Sequence, residues 1–165
     1  MDRYFFNKLK EAGSIPDIFE VVKEVVWKSL KKSRAGLDLG LIEIGNAPQG
    51  FLGGFYVSGS NIIIMNETPL KRMQETNPNL LTPYIFSVLL HEYLHSLGIF
   101  DEELVRKLTY EICCENFDKS NVVSQISKDM RKFFPNFIYP DGAPQVDGTV
   151  KLVPGFDRSS ISYIG

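Results

Sequence analysis

Histidine is almost missing from this chain: among 165 residues there are two, His91 and His95, four positions apart. Cysteine is equally scarce. Cys113 and Cys114 are adjacent, a spacing that strains a mutual disulfide, so no disulfide framework holds the fold and the pair reads as two thiols on a helix. Neither sign of charge dominates. Lys and Arg number 18 against 20 Asp and Glu, a net charge of -2 without any block of like charges, which favours neither nucleic acid nor an anionic membrane as partner. No apolar run approaches the ~18 residues of a membrane span, and the opening MDRYFFNKLKEAGS lacks the apolar core of a signal peptide. The expectation is a cytoplasmic protein with no nucleic-acid or membrane partner. Internal repeats and low-complexity tracts are also lacking.

What is present suffices for one hydrophobic core, since 44% of the residues are hydrophobic and a chain of this size buries roughly 70% of its unfolded surface. Ile18, Val22, Val25, Val26 and Leu30 form a helical stripe between Ile18 and Lys32, and Trp27 is expected to pack. The period then changes. Leu37 to Ile44, Phe51 to Val57 and Asn61 to Met65 read as three strands, the last two joined as a hairpin through Ser58-Gly59-Ser60. Asn46 to Gly50 and the pair Gly53-Gly54 suit an irregular rim or a close approach of backbones, where one strand could border a cleft and pair with an extended peptide. Asn66 to Asn79, with Pro69 and Pro78, reads as a connection holding at most a short helical turn.

Thr82-Pro83 is a good helix start, and the residues from there to Leu97 are apolar nearly all round, which marks a buried helix. Gly98 suits its end, and Asp101 suits the N-cap of a second helix, Glu102 to about Phe117. A third helix is expected from about Ser120 to Phe134, with Met130 on its apolar stripe and Pro135 stopping it. The expected fold class is α+β: an N-terminal helix and a three- to four-stranded mixed sheet packed on a buried helix, followed by two further helices. Residues 1–134 would form this domain, and the Pro/Gly-rich tail 135–165, with a turn at Asp147-Gly148, would pack on it.

Both histidines fall within HEYLHSLGIFD, His91 to Asp101. Residues four apart share a helix face, so His91 and His95 can direct both imidazoles at one ion, while Glu92 on the adjacent flank can reach a water beside it. Burial strengthens this reading, because an unpartnered imidazole or carboxylate in a core helix costs about 1–3 kcal/mol, and a metal with its water satisfies all three groups. With no third histidine, a further ligand must be a carboxylate or a thiolate. Residues near the turn at Gly98 are in range, which favours Asp101, Glu102 and Glu103, whereas Glu111 and Glu115 overshoot the site; a ligand from a distant segment is the remaining alternative, and an Asp101 that caps a helix through one oxygen can still bind through the other.

The run HEYLHSLGIFD fits the pattern H-E-x-x-H-x-x-G-x-x-(H/D) and resembles the metzincin-type metallopeptidases, including the minority with aspartate as last ligand. It is also similar to small bacterial and archaeal zincin-like domains in which the segment continues as Asp-Glu before a helix. The resemblance covers about eleven residues and the order of sheet, active helix and helix. It implies a zincin-like domain with Zn²⁺ held by His91, His95 and Asp101, Glu92 as general base, and a peptide or protein as substrate. A Met-turn, common to metzincins, is not evident. Tyr56 and Tyr139 are candidates to stabilise a developing oxyanion.

Overall fold

The computed structural model of this chain describes residues 3–44, 51–138 and 149–158. Its architecture is mixed α+β, as expected, with seven α-helices, a four-stranded mixed sheet and a separate two-stranded sheet among the described residues. The first helix, α1 (Tyr4–Glu11), was not anticipated; it is short, and only Phe5 and Leu9 are buried. Helix α2 (Ile15–Leu30) begins where Ser14 Oγ accepts the Asp17 N–H at 3.3 Å and Pro16 occupies the first turn. Of its stripe, Ile18, Val22, Val25 and Val26 are buried, as the spacing predicts, and Leu30 is half-buried. Trp27 lies off that stripe and is 52% exposed, with the Lys31 ammonium 5.5 Å from the ring centroid, so about half of the side chain is left unpacked.

Strands β1 (Asp38–Ile42), β2 (Phe51–Leu52), β3 (Gly54–Tyr56) and β4 (Ile62–Asn66) follow. β1 and β4 are parallel neighbours, with Leu39 opposite Ile63, and β3 returns antiparallel to β4 as the expected hairpin. β3 therefore forms one edge of the sheet. The other edge is β6 (Lys151–Leu152), antiparallel to β1, so the sheet order is β3-β4-β1-β6. Residues 51–56 change partner midway: β2 pairs in parallel with β5 (Phe137–Ile138) before the chain crosses to β4. Gly54 allows the crossing, since a Cβ there would stand 2.5 Å from the Ile64 carbonyl oxygen.

The stretch read as a connection is instead a ten-residue helix, α3 (Glu67–Thr76), followed by a 3-10 turn at Pro78–Leu80. Asn66 caps it by accepting the Thr68 N–H at 3.1 Å, and Pro69 lies in the first turn, where a missing N–H costs nothing. Helix α4 (Leu81–Ser96) continues directly from that turn without a side-chain cap, one residue ahead of the predicted Thr82 start. It packs against α2, β3, α5 (Glu102–Phe117) and α6 (Val122–Lys128), which explains why Tyr84, Phe86, Leu89, Leu90, Tyr93 and Leu94 are all inaccessible. Gly98 ends it at φ 96°, a left-handed conformation favoured by glycine.

The expected single helix near residues 120–134 is two, α6 and α7 (Met130–Phe133), because Asp129 adopts an extended φ of -149° and closes α6 through its N–H to Gln125. In the last described segment, besides β6, Phe156 stacks on Phe19 at 4.1 Å, and Asp157 accepts from Lys23 Nζ at 2.9 Å and from the Leu37 N–H at 3.1 Å. The loop at Asn46 to Gly50, Tyr139 and the turn at Asp147-Gly148 lie outside the described residues. No helix is long and apolar enough to cross a membrane among the described residues.

Candidate metal centre

The last turns of α4 carry His91, Glu92 and His95 into the space beside the start of α5. His91 and Glu92 are buried and His95 is half-buried. The two imidazole rings are 5.0 Å apart and inclined at 68°, the juxtaposition their spacing predicts. Between their tips lies Glu102, the first residue of α5: its Oε1 is 2.8 Å from His91 Nε2 and its Oε2 is 2.8 Å from His95 Nε2. His91, His95 and Glu102 thus form a group whose donor atoms all lie within 4.8 Å of one another.

The three carboxylates left open by the sequence have separate positions. Asp101 Oδ1 accepts the Leu104 N–H at 3.2 Å, so this side chain caps α5 and is outside the group. Glu103 is exposed and is also outside it. Glu102 reaches the histidines because Cα–Cβ bonds in a helix tilt toward its N-terminus, so the first residue projects back over the turn toward α4. Arg106, one turn on, holds Nε 3.6 Å from Glu102 Oε1.

Protonation decides what this group can bind. His95 Nδ1 is 2.8 Å from the Ile99 carbonyl oxygen, which can only accept, so Nδ1 carries a proton and donates it. Nε2 then faces a carboxylate oxygen at 2.8 Å, and two acceptors at that distance need a positive centre between them, either a proton or a cation. In the proton-bound form, burial works to lower the His95 pKa, but the hydrogen bond to Glu102 and the nearby carboxylates raise it overall. Burial alone would raise Glu102, yet the two imidazoles carry its carboxyl far below the usual carboxylate range.

Two imidazole nitrogens and one carboxylate oxygen make a donor set able to hold a metal ion. The Ile99 carbonyl supplies the outer hydrogen bond that orients a ligating imidazole, a partner no feature of the sequence names.

Glu92 lies on the flank of this group and outside it. Burial pushes its carboxyl up to about 7, against the opposing pull of the His91 and His95 charges and of the Tyr56 N–H, which donates to it from β3. A small cavity adjoins His91 and Glu92, lined also by Gly54, Ser87, Thr109, Ser127 and Met130. Met130 is therefore both a core residue and part of the cavity wall. The Tyr56 hydroxyl is engaged elsewhere, donating to the Ser60 carbonyl at 2.5 Å and accepting from Arg34, so the oxyanion role considered for it has no support in its placement.

Cys113 is buried with Sγ 3.3 Å from Ser127 Oγ, and Cys114 is half-buried; both are free thiols. Comparison of the chain with protein-family models, with curated proteins and with solved structures gave no match.

Proposed function

We propose that this chain is a zinc-dependent metallopeptidase, with His91, His95 and Glu102 holding the ion and Glu92 transferring the proton. The observation that carries the reading is the convergence of both imidazole Nε2 atoms on one carboxylate at 2.8 Å, with a second, buried carboxyl beside them that is not part of the group. A divalent cation bound there supplies Lewis acidity and lowers the pKa of water toward neutrality.

The chain's own residues supply the rest. Glu92, buried beside the group and outside it, is placed to accept a proton and return it. The Tyr56 N–H fixes one side of that carboxylate, and the Ile99 carbonyl fixes the His95 ring. A peptide as substrate rests on the resemblance of the run His91 to Asp101 to metallopeptidases.

The test is elemental analysis of the purified chain, followed by a peptide-library cleavage screen with and without chelator. About one zinc per chain and chelator-sensitive cleavage are expected; zinc without cleavage of any peptide sinks the peptidase reading. A metal-binding module without peptidase activity is the second reading, favoured by the way Glu102 bridges both histidines.

A further inference from the structure

Tyr56 is held from two directions. Its backbone N–H donates to Glu92, and its hydroxyl accepts from Arg34 Nη1 at 3.0 Å. The same Nη1 donates to the Ser96 carbonyl at 2.7 Å, one residue beyond His95, and Nη2 donates to the Ser60 carbonyl at 2.7 Å in the β3–β4 turn. The backbone N–H of Arg34 donates to the buried Tyr93 hydroxyl at 3.0 Å. Among the described residues no carboxylate lies within ion-pair distance of this guanidinium, so its directional bonds go to one hydroxyl and two carbonyls. A planar fork of donors suits such a task, because it fixes directions as well as distances.

We infer that Arg34 is a positioning residue: it sets the separation between the outer edge of β3 and the last turns of α4, and so holds the Tyr56 N–H against Glu92. The strand pairing shows why such a brace is needed. Val57 N–H bonds to Ile62 and Asn66 N–H to Gly53, which turns the alternate residues Gly54 and Tyr56 outward, away from β4. Nothing in the ladder itself therefore fixes Tyr56 to α4. Arg34 does so by gripping the hairpin at Tyr56 and Ser60 and the helix at Ser96. The consequence for turnover rests on the hydrolase reading above, whereas the restraint can be measured without it.

The experiment is amide hydrogen exchange, read by NMR on the full-length chain with and without zinc, in Arg34→Met, Arg34→Lys and Tyr56→Phe. In Arg34→Met the Tyr56 amide should exchange about tenfold faster than any general rise in the β1 and β4 amides. Arg34→Lys, which keeps the charge but loses the fork, should fall between the two. Zinc affinity should stay within about threefold, because His91, His95 and Glu102 do not touch Arg34, while kcat for a cleaved peptide should fall about 10- to 100-fold with KM within about twofold. Tyr56 exchange that rises no more than the β1 and β4 amides overturns the inference. If Arg34→Met does not fold, Tyr56→Phe removes the hydroxyl alone and should give a selective rise of about threefold; a rise shared equally with β1 and β4 again overturns it. A parent chain that binds no zinc or cleaves no peptide sinks the hydrolase reading and leaves the exchange comparison intact.

Discussion

Glu102 Oε2 lies 2.8 Å from His95 Nε2, across the turn that joins α4 to α5. The neighbouring Asp101, which the family resemblance implies as third ligand, directs its carboxylate to the Leu104 N–H instead. Two adjacent acidic residues thus have separable tasks, one facing the histidines and one capping a helix.

Substitution should separate them. Glu102→Gln is expected to weaken zinc binding by more than about 100-fold, since losing a ligand does more than the ~10–100-fold of losing a supporting hydrogen bond. Asp101→Ala should leave zinc affinity within about threefold and lower stability by ~1 kcal/mol through the lost cap. Competition with a chromophoric chelator and urea unfolding measure the two effects. Loss of zinc in Asp101→Ala would return the third position to aspartate.

Glu92→Gln should keep zinc, because Glu92 is outside the ligand group, and its amide oxygen can still accept the Tyr56 N–H. Peptide hydrolysis should fall about 10²- to 10⁴-fold, the usual contribution of a positioned acid–base group. His91→Ala should lose both. Full turnover in Glu92→Gln would remove the proton-transfer assignment.

Elements with strong apolar periodicity were legible in the sequence, and elements stabilised from a distance were not. Helix α2 follows from its stripe and cap, α4 from a run apolar nearly all round, and α5 from the Asp101 cap. α3 was hidden because only Pro69, Leu70 and Met73 of its ten residues are buried and its proline reads as a breaker until Asn66 is seen to cap it. The histidine pair and Glu92 were readable because helical spacing alone brings them together. Which of Asp101, Glu102 and Glu103 stands beside the imidazoles was not, since all three lie within reach of the turn and a cap does not exclude a ligand; the packing of α5 on α4 places Glu102 there. Arg34, 57 residues before His91 in the numbering, and the Ile99 carbonyl carry no local signal, since backbone acceptors and contacts between distant segments leave no trace in residue pattern.

The crossing at Gly54 predicts a second structural sensitivity. A Cβ there would stand 2.5 Å from the Ile64 carbonyl oxygen and 3.3 Å from Met65 Cα, both backbone atoms that cannot rotate away. Gly54→Ala should therefore cost about 1–3 kcal/mol and move β3, lowering peptide turnover as well. At Gly13 the nearest atom is 3.9 Å away, the Asp17 Oδ2, so Gly13→Ala should stay within about 0.5 kcal/mol. Chemical denaturation compares them, and equal stabilities would discount the close approach.

The two thiols give a probe of the centre that needs no substrate. Burial pushes the Cys113 thiol up to about 12, so it stays protonated at pH 8, and the thiolate is the reactive form. Cys114 is half-buried and more accessible to reagent. An alkylating agent should therefore modify Cys114 alone in the native chain, giving a single adduct by mass spectrometry, with Cys113 reacting only through opening of the core. Zinc that binds the folded state alone makes that opening rarer by mass action, about 100-fold at a hundred times its Kd. Cys113 labelling should slow by that factor when zinc is added to the parent chain and stay unchanged in His91→Ala. A Cys113 rate indifferent to zinc in both proteins would mean that the cation is not held by the folded His91–His95–Glu102 group.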